Sequence, residues 1–215
     1  NGRVSFAEDA TSVINGALPL AVLKDAALGA VLPAHLRRQV AVAAWTRAVL
    51  LDHDETAKAL APALLELAPE MKAQLTAYLA AKDAVERKDA ALYLLLKFPG
   101  MRPLVDVGLA RTTALGQIDN YRDNWWCGVA GRVYNEDAAL VPKPAAEAVP
   151  DFLSPAQRTA LTTEWQKLSA LNIGPNELCQ RAVAWAKRNP TDPRVPEALH
   201  LAVKATRYGC RDKQT

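Results

Sequence analysis

The sequence is poor in cysteine and aromatic residues, and it lacks the motifs of the common enzyme classes. Its 215 residues include 3 cysteines, and aromatic residues make up 6% of the chain. There is no C-x-x-C pair, G-x-S-x-G elbow, P-loop or G-x-G-x-x-G turn, which argues against the usual redox, hydrolase and nucleotide-binding enzymes. The histidines His35, His53 and His200 are scattered, without the spacing of a zinc site. The sequence therefore predicts a non-enzymatic protein with no metal and no cofactor.

Long apolar runs and strong charge of one sign are also missing. No stretch of 18 or more apolar residues is present, so no transmembrane segment is predicted. The net charge is +3, without the concentrated basic field of a nucleic-acid-binding protein. The basic residues alternate with acids, which predicts a solvated helical surface; they include Arg37, Arg38, Arg47, Lys72, Lys82, Arg87 and Lys88.

What the sequence does contain favours an all-α fold. Alanine makes up about a fifth of the chain, and this strong helix former is joined by few β-branched or aromatic residues. Helix breakers recur near residues 33, 53, 69, 82 and 99, and alternate breakers lie roughly 30–36 residues apart, a spacing typical of stacked helical hairpins. The sequence thus predicts an α-solenoid of antiparallel helix pairs, with helices that include 19–30, 33–51, 56–67, 154–171 and 175–188.

Three candidate helix caps accompany this pattern. Asp52 with Glu55 and Asp83 with Glu86 have the form of capping boxes, and Ser154 precedes Pro155 at the start of a long helix. The acidic stretch 52–55 superficially resembles a metal or acid–base cluster. No second histidine has zinc spacing, however, so a capping role is the prediction.

The segment 176–210 reads as two antiparallel helices with a tight turn. Leu178, Ala182 and Trp185 share one face of the first helix. Asp192 is predicted to cap the second helix and Pro193 to occupy its first position. The predicted inner stripe of the second helix contains Ala198, Leu199, Ala202, Val203 and Ala205 or Thr206.

The turn carries a resemblance to a known family. Pro190, Pro193 and Pro196, followed by Glu197 and Ala198, resemble the tetratricopeptide repeats of bacterial envelope lipoproteins. This resemblance covers about 35 residues and implies a protein–protein interaction scaffold, with a protein or peptide as partner and no catalytic residues. The stretches 97–103 and 119–127 also look like parts of uncharacterised secreted bacterial proteins.

The ends of these two helices place two cysteines side by side. Cys179 lies near the start of the first helix and Cys210 just past the end of the second, so a disulfide between them is predicted. The alternative is two buried free thiols. Cys127 is then the odd cysteine, either free or bonded to a segment outside this chain.

The densest aromatic group lies in the middle of the chain. Tyr121, Arg122, Trp125 and Trp126 are a candidate ligand or partner surface, since tryptophan and tyrosine combine apolar area with a polar handle. The alternative is that the tryptophans pack the junction between two helical blocks while Arg122 pairs locally.

These features predict three regions and two possible functions. The regions are an N-terminal helical array over 1–100, an irregular tryptophan-containing connection over 101–150, and tetratricopeptide-like helices over 151–215. The first hypothesis is a periplasmic or secreted bacterial scaffold that binds a protein or peptide. The second is a helical domain or accessory subunit of a larger envelope enzyme, suggested by chain ends that look cut from a longer protein.

Overall fold

The computed structural model describes residues 5–108, 111, 113–119, 124–127, 132–134, 140–142 and 150–210. Within these ranges the α-helices are α1 (Glu8–Gly16), α2 (Leu20–Leu28), α3 (Ala34–Leu50), α4 (Asp54–Leu67), α5 (Lys72–Leu79), α6 (Ala84–Lys97), α7 (Pro155–Ser169), α8 (Gly174–Arg188) and α9 (Val195–Tyr208). A 3₁₀ turn at Pro69–Met71 leads into α5. The predicted all-helical class is confirmed at this level.

A short β-hairpin accompanies the helices, and the sequence analysis did not predict it. Strands β1 (Arg132–Tyr134) and β2 (Leu140–Pro142) pair antiparallel, with Val133 opposite Val141. Both strands lie within the stretch predicted as an irregular connection.

Helix α3 is the buried centre of the N-terminal helices. It packs against α2 and α4, and its buried residues, among them Trp45 and Ala41, lie on every side of the helix. Such all-round burial is typical of a helix enclosed by its neighbours.

The end of α3 forms a Schellman motif at Asp52. The backbone N–H of His53 donates to the carbonyl of Ala48 at 2.8 Å, and the N–H of Asp52 donates to that of Val49 at 3.3 Å. Asp52 adopts the left-handed conformation, with a φ of 59°, that this motif requires of the residue after the helix.

The predicted capping box of Asp52 with Glu55 is therefore wrong. Helix α4 begins at Asp54, and its N-cap residue is His53, which makes no side-chain cap hydrogen bond. An N-cap residue needs an extended backbone, whereas Asp52 is left-handed, and its carboxylate instead pairs with Lys88 at 2.8 Å.

The capping box predicted at α6 is half correct. The carboxylate of Asp83 accepts from the backbone N–H of Glu86 at 2.8 Å, as a cap should. The Glu86 carboxylate, however, accepts from the N–H of Lys82 at 2.8 Å and not from that of Asp83. The helix start is still capped, with the return bond displaced by one residue.

Hydrogen bonds from the half-buried Asn15 and the buried Arg47 hold the connection after α6 against the N-terminal helices. The amide of Asn15 binds both backbone groups of Val105, donating at 2.9 Å and accepting at 2.8 Å. The Arg47 guanidinium donates to the carbonyls of Pro103 and Asn15 at 2.6 and 2.9 Å. Arg47 is 2% exposed, so its prediction as a solvated surface residue is wrong. Arg47 thereby satisfies two backbone carbonyls that belong to different segments of the chain.

Helix α7 begins as predicted and closes onto the first two helices. Ser154 and Gln157 form a complete capping box, which confirms Ser154 as the cap. The Glu164 carboxylate accepts from the N–H of Leu20, the first residue of α2, at 2.7 Å. The Trp165 indole donates to the carbonyl of Gly16, the last residue of α1, at 2.7 Å. One turn of α7 thus satisfies orphan groups at two helix ends.

Helix α9 starts later than predicted, because Asp192 bonds to Arg194 and does not cap the helix. The Asp192 carboxylate accepts from the backbone N–H of Arg194 at 2.9 Å and pairs with its guanidinium at 2.7 Å. The buried stripe of α9 contains Ala198 and Ala202, but the predicted core residue Val203 is 66% exposed. The buried positions are spaced by three and four residues, which leaves Val203 on another face.

Helix α6 links the two ends of the chain. It packs against α3 and α5, and also against α8 and α9. The Tyr93 hydroxyl donates to the carboxylate of Glu197 on α9, and Lys97 pairs with the same carboxylate at 3.1 Å. A continuous core joins Phe6 to Ala205. None of the helices in the described ranges has the length and apolarity needed to cross a membrane.

A candidate binding cleft between α4, α6 and α8

A cleft of ≈ 230 Å³ opens where the end of α3 and the start of α4 face α6 and α8. Its apolar walls come from small and aliphatic residues, Ala48, Val49, Ala57, Ala91, Leu92 and Leu95. Several of these are alanines, and their short side chains leave space between helices that larger residues would fill. The alanines on these facing helices therefore leave a concavity between them.

Tyr78 of α5 lines the cleft and carries an unpartnered hydroxyl. The side chain is 1% exposed, and its ring meets the Trp45 ring edge-on, with centroids 5.4 Å apart. Among the described residues its hydroxyl has no hydrogen-bond partner. A buried hydroxyl without a partner costs about 1–3 kcal/mol, and because this oxygen has no appreciable accessible surface, a ligand in the cleft does not reach it.

The electrostatic neighbours of this hydroxyl lie on the rim of the cleft. Burial raises the pKa of Tyr78, and the negative charge of Asp54 raises it further while Arg87 opposes it. Asp54 and Arg87 both line the cleft. With its pKa raised, Tyr78 stays protonated at neutral pH.

Ion pairs surround the mouth of the cleft. Arg87 pairs with Asp54 at 2.8 Å, Lys88 pairs with Asp52 at 2.8 Å, and Arg188 pairs with Asp89. A fourth cation, Arg181, pairs with Glu177 within α8 at 2.8 Å. The rim is therefore densely charged, but each of these cations already has a carboxylate partner.

The pair between Asp89 and Arg188 bridges α6 and α8 across the cleft. Asp89 is buried, and burial raises the pKa of its carboxyl group, while the positive charges of Arg188 and Arg194 act in the opposite direction. The pair fixes the width of the cleft on the α8 side, because it joins the two facing helices.

Few features of the sequence indicate this site. Arg87 and Lys88 were expected on a solvated surface, yet the Arg87 side chain is 13% exposed and lines the cleft. Tyr78 fits the ordinary pattern of a core-facing helix residue. The available signal was the concentration of charge over residues 82–89, where six of eight residues are charged, directly before the apolar half of α6.

The aromatic surface predicted around residue 125 is wrong for the two tryptophans. Trp125 and Trp126 are 2% and 1% exposed, so neither side chain offers an accessible surface. The Trp125 indole donates to the Leu95 carbonyl on α6 at 3.0 Å, and the Trp126 carbonyl accepts from the N–H of Gly174 on α8 at 2.7 Å. They pack the junction of α6 with α8, which was the stated alternative.

Backbone crowding at this junction leaves no room for a side chain at two glycines. A Cβ at Gly174 would lie 2.9 Å from the Trp126 ring, and a Cβ at Gly209 would lie 2.5 Å from the Pro175 ring. Trp125 itself has a φ of 55°. The other two members of the predicted surface, Tyr121 and Arg122, lie outside the described residues.

The predicted disulfide between Cys179 and Cys210 is also wrong. The structure joins Cys210 to Cys127, with Cα atoms 5.3 Å apart, and Cys179 is free. Cys210 follows α9 as expected, but residues 124–127 return to this end of the α8–α9 pair and bring Cys127 to it. The nearby Asn124 amide donates to the Tyr208 carbonyl at 3.1 Å, which fastens the same segment.

The described residues contain no group of three or more histidine, cysteine, aspartate or glutamate side chains that could hold a metal ion. Comparisons of this chain with protein-family models, with curated proteins and with solved structures find no match.

Proposed function

We propose that this protein is a non-catalytic binding module, in which a tetratricopeptide-like stack of helical hairpins holds a peptide segment of a partner protein. The segment enters the cleft between α4, α6 and α8, and the helices around it form the supporting scaffold. The proposed compartment is the bacterial periplasm or cell exterior.

The packing of the helices supports the scaffold part of this proposal. Helices α8 and α9 pack against each other, as do α3 and α4, and α5 and α6. Each pair is joined by a short connection, the arrangement that stacked helical hairpins use. Concave surfaces between such pairs commonly take extended or helical segments of other proteins.

The cleft between α4, α6 and α8 is the observation that carries the proposal. It joins an apolar wall to a charged rim. Protein interfaces have the same composition, with an apolar core surrounded by a polar rim. Neither a metal cluster nor a nucleophile with an adjacent base is needed for this role.

The disulfide supports the proposed compartment. Cys127 and Cys210 are joined, and disulfides persist in secreted proteins and in the periplasm but are rare in the cytosol.

A peptide selection tests the proposal. The full chain is immobilised and a library of random peptides displayed on phage is selected against it. We expect a recurring sequence pattern, and we expect the enriched peptides to lose binding to Ala184→Phe. Ala184 is an exposed residue of α8 on the wall of the cleft, so a phenyl ring there blocks the cleft without entering the core.

Val183→Phe is the matched control, because Val183 is the neighbouring exposed residue of α8 and does not line the cleft. Enriched peptides should bind this variant as they bind the original chain. The proposal fails if no peptide is enriched, or if Ala184→Phe binds the enriched peptides unchanged.

A further inference from the structure

We infer that the cleft takes one apolar side chain of the partner peptide, and that acidic residues two positions away from this anchor lie on the rim of the cleft beside α8. This inference rests on the proposed function and names the peptide chemistry that the site prefers. The volume of the cleft, its walls, and the exposure of the charged groups on its rim lead to it.

The volume and the walls of the cleft fit a single apolar side chain. A volume of ≈ 230 Å³ exceeds the about 150 Å³ of an apolar cavity that accepts benzene, and it is below the about 300 Å³ at which cavities for drug-sized ligands begin. The alanine, valine and leucine residues of the walls remove such a side chain from water. A carboxylate that entered would lose its hydration against these walls, so charged groups of the peptide stay at the rim.

The charged residues that line the cleft include more cations than carboxylates. The cations are Arg87, Lys88, Arg181 and Arg188, and the carboxylates are Asp52, Asp54 and Asp89. The carboxylate that pairs with Arg181 belongs to Glu177, which does not line the cleft. Four cations against three carboxylates leave one excess positive charge at the cleft.

This excess lies on the side of α8. The side chains of Arg181 and Arg188 are 31% and 48% exposed, whereas those of their partners Glu177 and Asp89 are 13% and 7% exposed. The cations therefore face the solvent at the mouth, and the carboxylates that neutralise them lie behind. A peptide that reaches this edge meets positive charge first, and acidic side chains are complementary to it.

The opposite edge of the cleft presents no such excess. Asp52 and its partner Lys88 are both well exposed, and Asp54 is more exposed than its partner Arg87. Acidic residues of the peptide are therefore attracted to the α8 edge and not to this one.

Chain geometry sets the spacing between the anchor and the acidic residues. In an extended peptide, successive side chains point to opposite faces, and each residue advances the chain by about 3.3 Å. When the anchor points into the cleft, the side chains two residues away also point towards the protein, about 7 Å along the chain. They then lie beyond the mouth of so small a cleft and meet the charged rim.

Four end-blocked pentapeptides test the inference on the full chain. They are N-acetyl-Glu-Gly-Leu-Gly-Glu-amide, two variants with glutamine or lysine in place of both glutamates, and one with alanine in place of leucine. Each is titrated into the protein and followed by protein amide chemical shifts. We expect the glutamate peptide to bind roughly twofold to fivefold more tightly than the glutamine peptide, the range of one exposed ion pair, and the lysine peptide to bind more weakly than both. The alanine peptide should bind about tenfold more weakly than its leucine counterpart, because it lacks most of the apolar surface that the walls bury.

Two variants of α8 assign the acidic preference to the rim. Arg181 pairs with Glu177 of its own helix, whereas the loss of Arg188 would take a cation away from the buried carboxylate of Asp89. In Arg181→Gln the glutamate peptide should therefore lose most of its advantage while the glutamine peptide binds as before. Lys187→Gln is the matched control, since it makes the same charge change at an exposed residue of α8 that does not line the cleft. There the advantage should remain.

Two further measurements separate the charged and apolar contributions. About 1 M NaCl should abolish the advantage of the glutamate peptide without weakening the glutamine peptide, because salt screens exposed charges. In Ala184→Phe, where a phenyl ring blocks the cleft, none of the four peptides should bind.

Each other result overturns the inference. Equal binding of the glutamate and glutamine peptides, or tightest binding of the lysine peptide, shows that the acidic flank is wrong. An advantage that survives in Arg181→Gln, or that Lys187→Gln also removes, means that the α8 edge does not select the peptide. Equal binding of the leucine and alanine peptides, or no binding of any peptide, overturns the apolar anchor. If the peptide selection still yields peptides that Ala184→Phe rejects, the proposed function survives and only the inferred peptide chemistry is lost.

Discussion

Among the described residues, Arg47, Asp89 and Glu164 are the charged side chains that the fold buries. Burial lowers the pKa of Arg47 to about 10, with the negative charge of Glu164 acting against that change. Burial raises the pKa of the carboxyl groups of Asp89 and Glu164. A buried charge is tolerated when hydrogen bonds compensate it. At the two carboxyl groups, folding and ionisation therefore oppose each other.

Glu164 gives a pH-dependent prediction. Burial raises its folded-state pKa above 4.5, partly offset by the hydrogen bond from the Leu20 N–H. A raised folded pKa contributes stability that is fully present below the unfolded value and is lost as pH rises through the folded value. Glu164→Gln keeps an oxygen that can accept from Leu20 but does not ionise. We therefore expect the free energy of unfolding of the original chain to fall relative to Glu164→Gln as pH rises from about 4 to 7.

Urea unfolding of both proteins at several pH values measures this difference. Parallel curves over the whole range would show that Glu164 titrates in the folded protein as it does in the unfolded chain. A difference of the opposite sign would mean that Arg47 and the Leu20 N–H outweigh burial.

At the scale of elements, hydrogen bonds at the helix ends determine much of how the helices are arranged. Helix α3 ends on the left-handed Asp52, α6 starts under the Asp83 carboxylate, and α7 starts in a full capping box at Ser154. Side chains of α7 in turn satisfy the end of α1 and the start of α2. Polar side chains at helix ends, and not only apolar faces, thus set which helices meet.

Ser154 provides a test of one such end. We expect Ser154→Ala to lower the free energy of unfolding by about 1 kcal/mol, because the N–H of Gln157 loses its acceptor and the return bond loses its support. Urea unfolding at neutral pH measures the change.

Ser169→Ala is the matched control on the same helix. Its hydroxyl donates to the Trp165 carbonyl from an exposed position at the other end of α7. Alanine is the better helix former there, so the expected change is within about 0.5 kcal/mol of zero. Equal losses in the two variants would contradict a specific role for the cap.

Helix positions were largely readable from the sequence because their signals are local. Pro155 and Pro175 mark helix starts, and residues 99–100 end α6, as expected from backbone restrictions. The predicted start of α9 is wrong because the Asp192 carboxylate can either cap the helix or pair with Arg194. In the structure it pairs with Arg194. Local chemistry predicts that both are possible but does not rank them.

At the scale of the whole molecule, the disulfide between Cys127 and Cys210 closes the second half of the chain. Its cysteines are 83 residues apart in sequence. In the chain-entropy picture a loop of that length corresponds to about 4.5 kcal/mol of stability gained by restricting the unfolded state. The bond therefore ranks among the larger single contributions to the stability of this fold.

The cysteine assignment leads to a direct prediction. When the chain is unfolded in urea without reductant, iodoacetamide should label one thiol, and peptide mapping should find that label on Cys179, because Cys127 and Cys210 are bonded. In Cys127→Ser, Cys210 should become the second labelled residue. A label on Cys127 together with a linked Cys179–Cys210 peptide would restore the pairing expected from the sequence.

The disulfide pairing, the burial of the tryptophans and the cleft all depend on contacts between residues far apart in the sequence, and the sequence did not predict them. Cys179 and Cys210 are neighbours in a simple helix pair, and only the return of residues 124–127 brings a third cysteine to that place. In the sequence, Trp125 and Trp126 resemble a ligand-binding surface. In the structure they are buried between α6 and α8. Tyr78 lines a cleft because α4, α6 and α8 meet beside it, and no local pattern encodes that meeting. The candidate site was therefore beyond sequence reasoning, although the helices that build it were not.

The bond from Cys127 to Cys210 also makes this part of the protein a covalent ring. A protease that cuts once at any peptide bond inside the ring opens it without releasing a fragment. On a non-reducing gel the nicked protein would run as one species, and two pieces would separate only after reduction. If the protein works outside the cytosol, where proteases are plentiful and reductants scarce, a single cleavage would leave α6, α8 and the cleft between them attached to the same molecule.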